Sequence, residues 1–206
     1  PFTVGYGMTE CAPIITYDDW KEEKLYSCGK AAPNMEVRIA SADPVNIPGE
    51  IQVKGANVFL GYYKNETATS EVFTEDGWFR TGDMGVLDAD GSLFIKGRTK
   101  CMILGPSGQN IYPEEVETVL NSQQYVVDSL VIEDNGGLTA LIYPDFPQGA
   151  KDGMKQDAFV KYMEDRLSEW NSILPNYARL KKVEVMSEDF ERTPKKSIKR
   201  YLYQRR

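Results

Sequence analysis

The sequence predicts a mixed α/β protein of the α+β kind, in which a small β-barrel-like, β-rich part precedes a compact α+β domain. Three observations predict it. Short apolar runs with turn residues between them fill residues 36–96, the pattern of a small barrel or sandwich. Apolar residues at helical spacing occur beyond residue 100, interleaved with further strand-like runs. The character of the chain changes at Gly97. The expected division is therefore 1–97 for the β-rich part, 98–100 for the joint and 101–206 for the second domain.

Residues 1–30 read as loops and short segments. The clearest strands are Glu36–Ile39, Glu50–Val53, Met84–Leu87 and Ser92–Ile95, and Asp90-Gly91 is a strong hairpin signal between the last pair. Beyond the joint, Met102–Leu104 is apolar and Pro106-Ser107-Gly108-Gln109-Asn110 is a tight turn. Pro113 opens a helix with Glu114 and Glu115 in its first turn, where carboxylates suit the helix dipole. Val116, Val119 and Leu120 give it an apolar face. Tyr125–Glu133 and Leu138–Tyr143 read as a hairpin around Asn135-Gly136-Gly137. Gln156–Trp170 is a helix, with Phe159, Val160, Met163 and Leu167 on one side, and Leu180–Val185 is a last strand.

The chain has 206 residues and a net charge of −7, enough to bury a core. No run is long and apolar enough for a membrane-spanning helix, and Pro1–Glu10 lacks the basic start of a signal peptide. Histidine is absent, which removes Ser-His-Asp triads, Cys-His dyads and histidine metal sites from this segment. Cys11, Cys28 and Cys101 stand far apart with no CxxC pair, a sparse odd count that fits a reducing cytoplasm. Residues 192–206 carry seven basic side chains and no acid. A basic tail on an acidic body suggests phosphate, nucleic acid or an acidic surface as a partner. The charge pattern alone favours the plainer reading, a solvated tail.

Several segments hold side chains suited to chemistry. In Gly5-Tyr6-Gly7-Met8-Thr9-Glu10, glycines allow close backbone approach, Tyr6 offers a stacking ring, Thr9 a hydroxyl donor and Glu10 a hard oxygen ligand for Mg²⁺. Taken alone, such a segment is more often only a turn. Asp83, after Gly82, can accept both hydrogen bonds of a ribose diol, or simply cap its own turn. Arg98 can hold a ribose or phosphate with a planar fork, or, like Lys100 at the joint, be merely solvated.

Together GYGMTE, GWFRTGD, LFIKGRTK with SGQNIYPEEVE, and RTPKKSIKRYLY occur in an order that resembles the adenylate-forming superfamily of acyl-CoA synthetases, adenylation domains and luciferases. NVFLGYYKNETAT and SGQNIYPEEVE look most like the long-chain fatty acyl-CoA synthetase branch, and the resemblance covers almost the whole chain. It implies a ligase using ATP, Mg²⁺ and coenzyme A. A carboxylate attacks the α-phosphate to give acyl-adenylate, and a thiolate then displaces AMP. It implies nucleotide-binding roles for Gly5, Tyr6, Gly7, Thr9, Asp83 and Arg98, with Tyr6 on adenine, Thr9 at the α-phosphate and Asp83 and Arg98 at the ribose. Glu10 would hold Mg²⁺, Lys100 would be the hinge of a mobile second domain, Gly108 would line the coenzyme A tunnel and Gly5 would border the acyl pocket.

Two departures qualify the resemblance. The family's phosphate loop, with its lysine, belongs upstream of GYGMTE, so the expectation is a carboxy-terminal part of a longer enzyme, inactive alone and completed by the preceding part of the same chain. The family's tail lysine falls at Ser197, and Lys196, one residue early, is the expected catalytic lysine, with Lys195 its substitute. The expected substrate is a fatty acid or another carboxylic acid, the location cytoplasmic, with room for peripheral membrane association and no nucleic acid expected. The alternatives are a ligase acting on an acyl carrier protein and a non-catalytic binding module.

Overall fold

The computed structural model describes residues 1–106 and 108–205. Ser107, in the expected turn, and Arg206, in the basic tail, lie outside the described residues. The chain divides into two compact units, Pro1–Lys100 and Cys101–Arg206.

The first unit holds two antiparallel sheets. Residues expected to be loops and short segments supply β1 (Gly5–Gly7), β2 (Ile14–Tyr17) and β3 (Lys30–Ala31), in that order across one sheet. The other sheet runs β4 (Met35–Ala40), β5 (Gly49–Gly55), β6 (Phe79–Leu87), β7 (Leu93–Arg98). It is open: β4 and β7 lie at opposite ends of the strand order, so the expected barrel-like closure is not made. Its four strands are fewer than the roughly five that even a partly open barrel uses. β6 starts at Phe79, ahead of the expected Met84, because Phe79 is the one apolar residue among its first five and no apolar run marks the start. Between β5 and β6 lies α1 (Glu66–Glu71), capped by Asn65, whose side-chain oxygen accepts from the Ala68 amide at 3.0 Å. The core gathers Ile15, Ile39, Ile51, Val53, Phe79 and Leu93.

The second unit begins with a two-stranded hairpin, β8 (Ile103–Leu104) and β9 (Asn110–Ile111). α2 (Pro113–Asn121) follows, with Pro113 and two acids in its first turn as the sequence predicts. β10 (Val126–Asp134) and β11 (Gly137–Pro144) are antiparallel; β11 and β12 (Leu180–Val185) are parallel. A parallel pair needs a crossover, which α3 (Phe146–Lys151) and α4 (Ala158–Ile173) provide. Val116, Leu120, Phe159, Met163 and Trp170 of the helices pack on Val131, Ala140, Ile142 and Val183 of the sheet. The alternate residues Leu130, Ile132 and Leu141 form a second core with Phe190, against which Ile198 and Tyr203 pack. The tail covers this other face of the sheet.

Candidate functional site

In the first unit, groups far apart in sequence meet at one carboxylate. Gly7 needs no side chain because β1 approaches β2 closely: a Cβ there would lie 2.0 Å from the Pro13 carbonyl oxygen. This close pairing fixes Tyr6, which is buried and donates its hydroxyl to Asp83 Oδ2 at 2.7 Å. Asp83 does not cap its own turn. It lies within β6, 7 % exposed, with its amide on the Thr81 hydroxyl at 3.1 Å. The β6–β7 register sets Arg98 opposite Asp83, and Arg98 Nε lies 3.3 Å from Asp83 Oδ1. Burial and then the Asp83 charge push the Tyr6 phenol well above its ordinary range, so it stays a donor. An ionised carboxylate has about four lone-pair sites, so one held by Tyr6 and Arg98 keeps acceptor capacity for a diol.

Glu10 and exposed Thr9 lie in a single 3-10 turn after β1. The sequence reading missed what holds them. The Phe59 amide donates to the Glu10 carbonyl at 2.8 Å, and the Tyr62 hydroxyl donates to Glu10 Oε1 at 3.1 Å. Asn57 Nδ2 donates to the carbonyls of Cys11 at 2.7 Å and Ile14 at 3.0 Å. Phe59 itself is clamped between the rings of Phe73 and Phe79, at 5.8 and 5.4 Å. Glu10 fits Mg²⁺ as a single ligand: its second oxygen lies outside the Tyr62 bond, and magnesium takes one or two carboxylates with phosphates and waters. Among the described residues no group of three or more Cys, Asp or Glu could hold a metal. Gly5 lines a cavity of about 610 Å³ with Ile14, Tyr17, Ala32 and Pro33. Lys100 is exposed, at the boundary of the two units.

In the second unit Gly108 lies in the β8–β9 turn with φ +79°, a left-handed conformation that favours glycine, and its amide donates to the Gly105 carbonyl at 2.9 Å. The tail is not solvated as its charge suggested. Arg192 binds Asp128 at 2.7 Å and Asp189 at 3.0 Å, and Lys199 binds Glu191 at 3.1 Å. Arg200 grips Glu117 with both guanidinium nitrogens, at 2.7 and 2.8 Å. Arg205 binds Asp134 at 2.9 Å and also Glu184. Burial pushes the Glu117 carboxyl up, to about 7, while the Arg200 guanidinium and the Val131 amide pull against it. What stays exposed is the tip. Thr193 donates to the Ser197 carbonyl and Lys196 to the Thr193 carbonyl, each at 2.8 Å, closing a turn with Lys195, Lys196 and Ser197 exposed. Lys196 sits at φ 63°, a conformation that costs a side-chain-bearing residue roughly 1–2 kcal/mol.

The family model described as AMP-binding enzyme matches residues 1–63, and that described as AMP-binding enzyme C-terminal domain matches residues 102–206. A long-chain-fatty-acid–CoA ligase of Mycobacterium bovis is 38% identical over 63% of this chain and 20% of its own length. A 2-succinylbenzoate–CoA ligase of Bacillus pumilus is 40% identical over 63% of this chain and 27% of its own. Among solved structures, O-succinylbenzoate coenzyme A synthetase of Bacillus subtilis, in complex with ATP and magnesium ion, superposes with a TM-score of 0.80 at 30% identity, over 97% of this chain and 40% of that one. The chain thus spans about a fifth to a quarter of the curated relatives it matches.

Proposed function

The chain belongs to the AMP-binding enzyme family, and on that premise we propose that it is the carboxy-terminal part of an AMP-forming acid–thiol ligase. The whole ligase adenylates a carboxylic acid with ATP and Mg²⁺ and passes the acyl group to coenzyme A. The meeting of Tyr6, Asp83 and Arg98 carries this reading: strands from two sheets bring a stacking ring, an acceptor-only carboxylate and a guanidinium together, as a ribose and its base require. Thr9 contacts the α-phosphate, and Glu10 holds Mg²⁺, which neutralises phosphate charge. Lys196 brings a positive charge to the two anions that must meet in the first step. Lys100 is the hinge, and Gly108 lines the path of the thiol.

We take the acid to be a long-chain fatty acid. Wording in NVFLGYYKNETAT and SGQNIYPEEVE and the wide, largely apolar cavity beside Gly5 support that choice. We place the protein in the cytoplasm on the strength of its sparse, odd cysteine count with no CxxC pair. The test is pyrophosphate release by the full-length ligase with a panel of fatty, aryl and dicarboxylic acids. Release with palmitate well above the others is expected. Preference for an aryl acid would move the substrate, and no release with any acid would end the ligase reading.

A further inference from the structure

The exposed lysine turn stands on two half-buried feet. One foot is Arg192, just before the turn. It takes Asp128 of β10 at 2.7 Å and donates to the carbonyl of Lys196 itself at 3.2 Å. Asp128 is in turn fixed by the Asn121 amide group at 3.3 Å and the Ser129 amide at 2.9 Å. The other foot is Arg200, just after the turn, on Glu117 of α2. Glu117 also accepts from the Val131 amide at 2.7 Å, which ties helix, sheet and tail at one carboxylate.

Docking the tail does not require these acids, because Phe190, Ile198 and Tyr203 already seat it on the sheet. Buried ion pairs are weak devices for stability and better ones for register. Here they also sort charge. Arg192, Lys199 and Arg200 are matched by acids, whereas no described acid pairs with Lys195 or Lys196. Positive charge is thereby concentrated at the tip, on a residue held at φ 63°.

We propose that Glu117 and Asp128 are positioning residues for adenylation, acting through Arg200 and Arg192 to hold the Lys195–Lys196 turn in the geometry that meets the reacting anions. The proposal rests on the ligase reading above. It explains why two half-buried carboxylates lie under a segment that also has apolar contacts with the sheet.

The test uses the full-length ligase with Glu117→Gln, Asp128→Asn and Arg200→Lys, which change charge or fork geometry and little volume. Each half-reaction is followed separately, and thioester formation from supplied acyl-adenylate reports on folding. Each variant is expected to lower kcat for pyrophosphate release by about a hundredfold. KM for ATP and the thioester step should move less than about threefold. In a Lys195→Ala, Lys196→Ala background Glu117→Gln should cost nothing further, because its effect passes through the turn. Equal loss of both half-reactions, or a full further loss in that background, would overturn the proposal and leave a merely structural pair. A wild-type ligase that releases no pyrophosphate removes the ligase reading and this role with it. An active wild type with unaffected variants removes the role alone.

Discussion

The cluster at Asp83 and the turn at Lys196, the two places to which roles are proposed, hold their side chains in opposite ways. At Asp83 the groups are themselves buried or bonded to one another, and the sheets that carry them are the core of the first unit. At Lys196 the groups are exposed, and only their anchors, Glu117 and Arg200, are withdrawn from water, with side chains 12% and 19% exposed. A site that binds can be rigid throughout. A lysine that must reach an anion has to keep its charge in the open, so the order is supplied from behind.

That contrast predicts where substitutions hurt. The largest effect on stability belongs to Gly7→Ala, whose Cβ meets backbone that cannot step aside; a loss of about 3 kcal/mol is expected in the denaturant midpoint of the 206-residue chain. Gly108→Ala meets nothing within 4 Å and should lose only the left-handed penalty, about 1 kcal/mol. Equal losses would show that the close approach at β1 is not rigid. Tyr6→Phe leaves Asp83 Oδ2 without its donor and should cost about 1–3 kcal/mol, with a parallel loss of nucleotide affinity. Lys196→Gly should act the other way. Relief of roughly 1–2 kcal/mol of strain outweighs the roughly 0.5–1 kcal/mol of added chain entropy, so a slight rise in melting temperature should accompany a fall in adenylation. A destabilised glycine variant would contradict the strain.

One of the tail's anchors also sets a pH dependence. Hydrogen bonds from Arg205 and then Lys182 hold the Glu184 carboxyl down, to about 2, against an ordinary value of 4.5. The unfolded chain binds the proton more readily, so this pairing contributes fully above that ordinary value and is lost as pH falls toward the folded one. Urea midpoints should therefore fall over that acid range, and Arg205→Met should flatten the fall. An identical slope in the variant would assign it to other carboxylates.

Much of this was legible in sequence, and unevenly so. No single segment marked Tyr6, Asp83 and Arg98, each of which reads alone as a turn or a solvated group; only the order of the motifs, through the family resemblance, singled them out, whereas Pro113 with its acids marked α2 directly. Strands as short as Lys30–Ala31 carry no period to read, which hid the first sheet. The tail misled because its partners lie 64 residues away for Arg192 and 83 for Arg200, and net charge has no memory of such pairing. A signal was nonetheless present. Leu130, Val131 and Ile132 are consecutive and apolar where a half-solvated strand would alternate, so both faces of β10 had to be covered, and the tail is the cover. Tyr62 and Asn57 gave no such sign, since a hydroxyl and an amide in a loop look the same whether they face water or a carboxylate.

The measurement that bears most directly on the central claim is ribose discrimination by Asp83. The full-length ligase is titrated with a stable acyl-adenylate analogue and with its 2′,3′-dideoxy form, in wild type and in Asp83→Asn. Hydrogen bonds to an ionised partner are worth about 1.5–3 kcal/mol, so wild type should prefer the ribose form by roughly tenfold or more, and Asp83→Asn should lose most of that preference while Glu50→Gln, on the neighbouring strand, keeps it. Equal discrimination by wild type and Asp83→Asn would contradict the account, because the carboxylate held by Tyr6 and Arg98 would then not be reading the ribose.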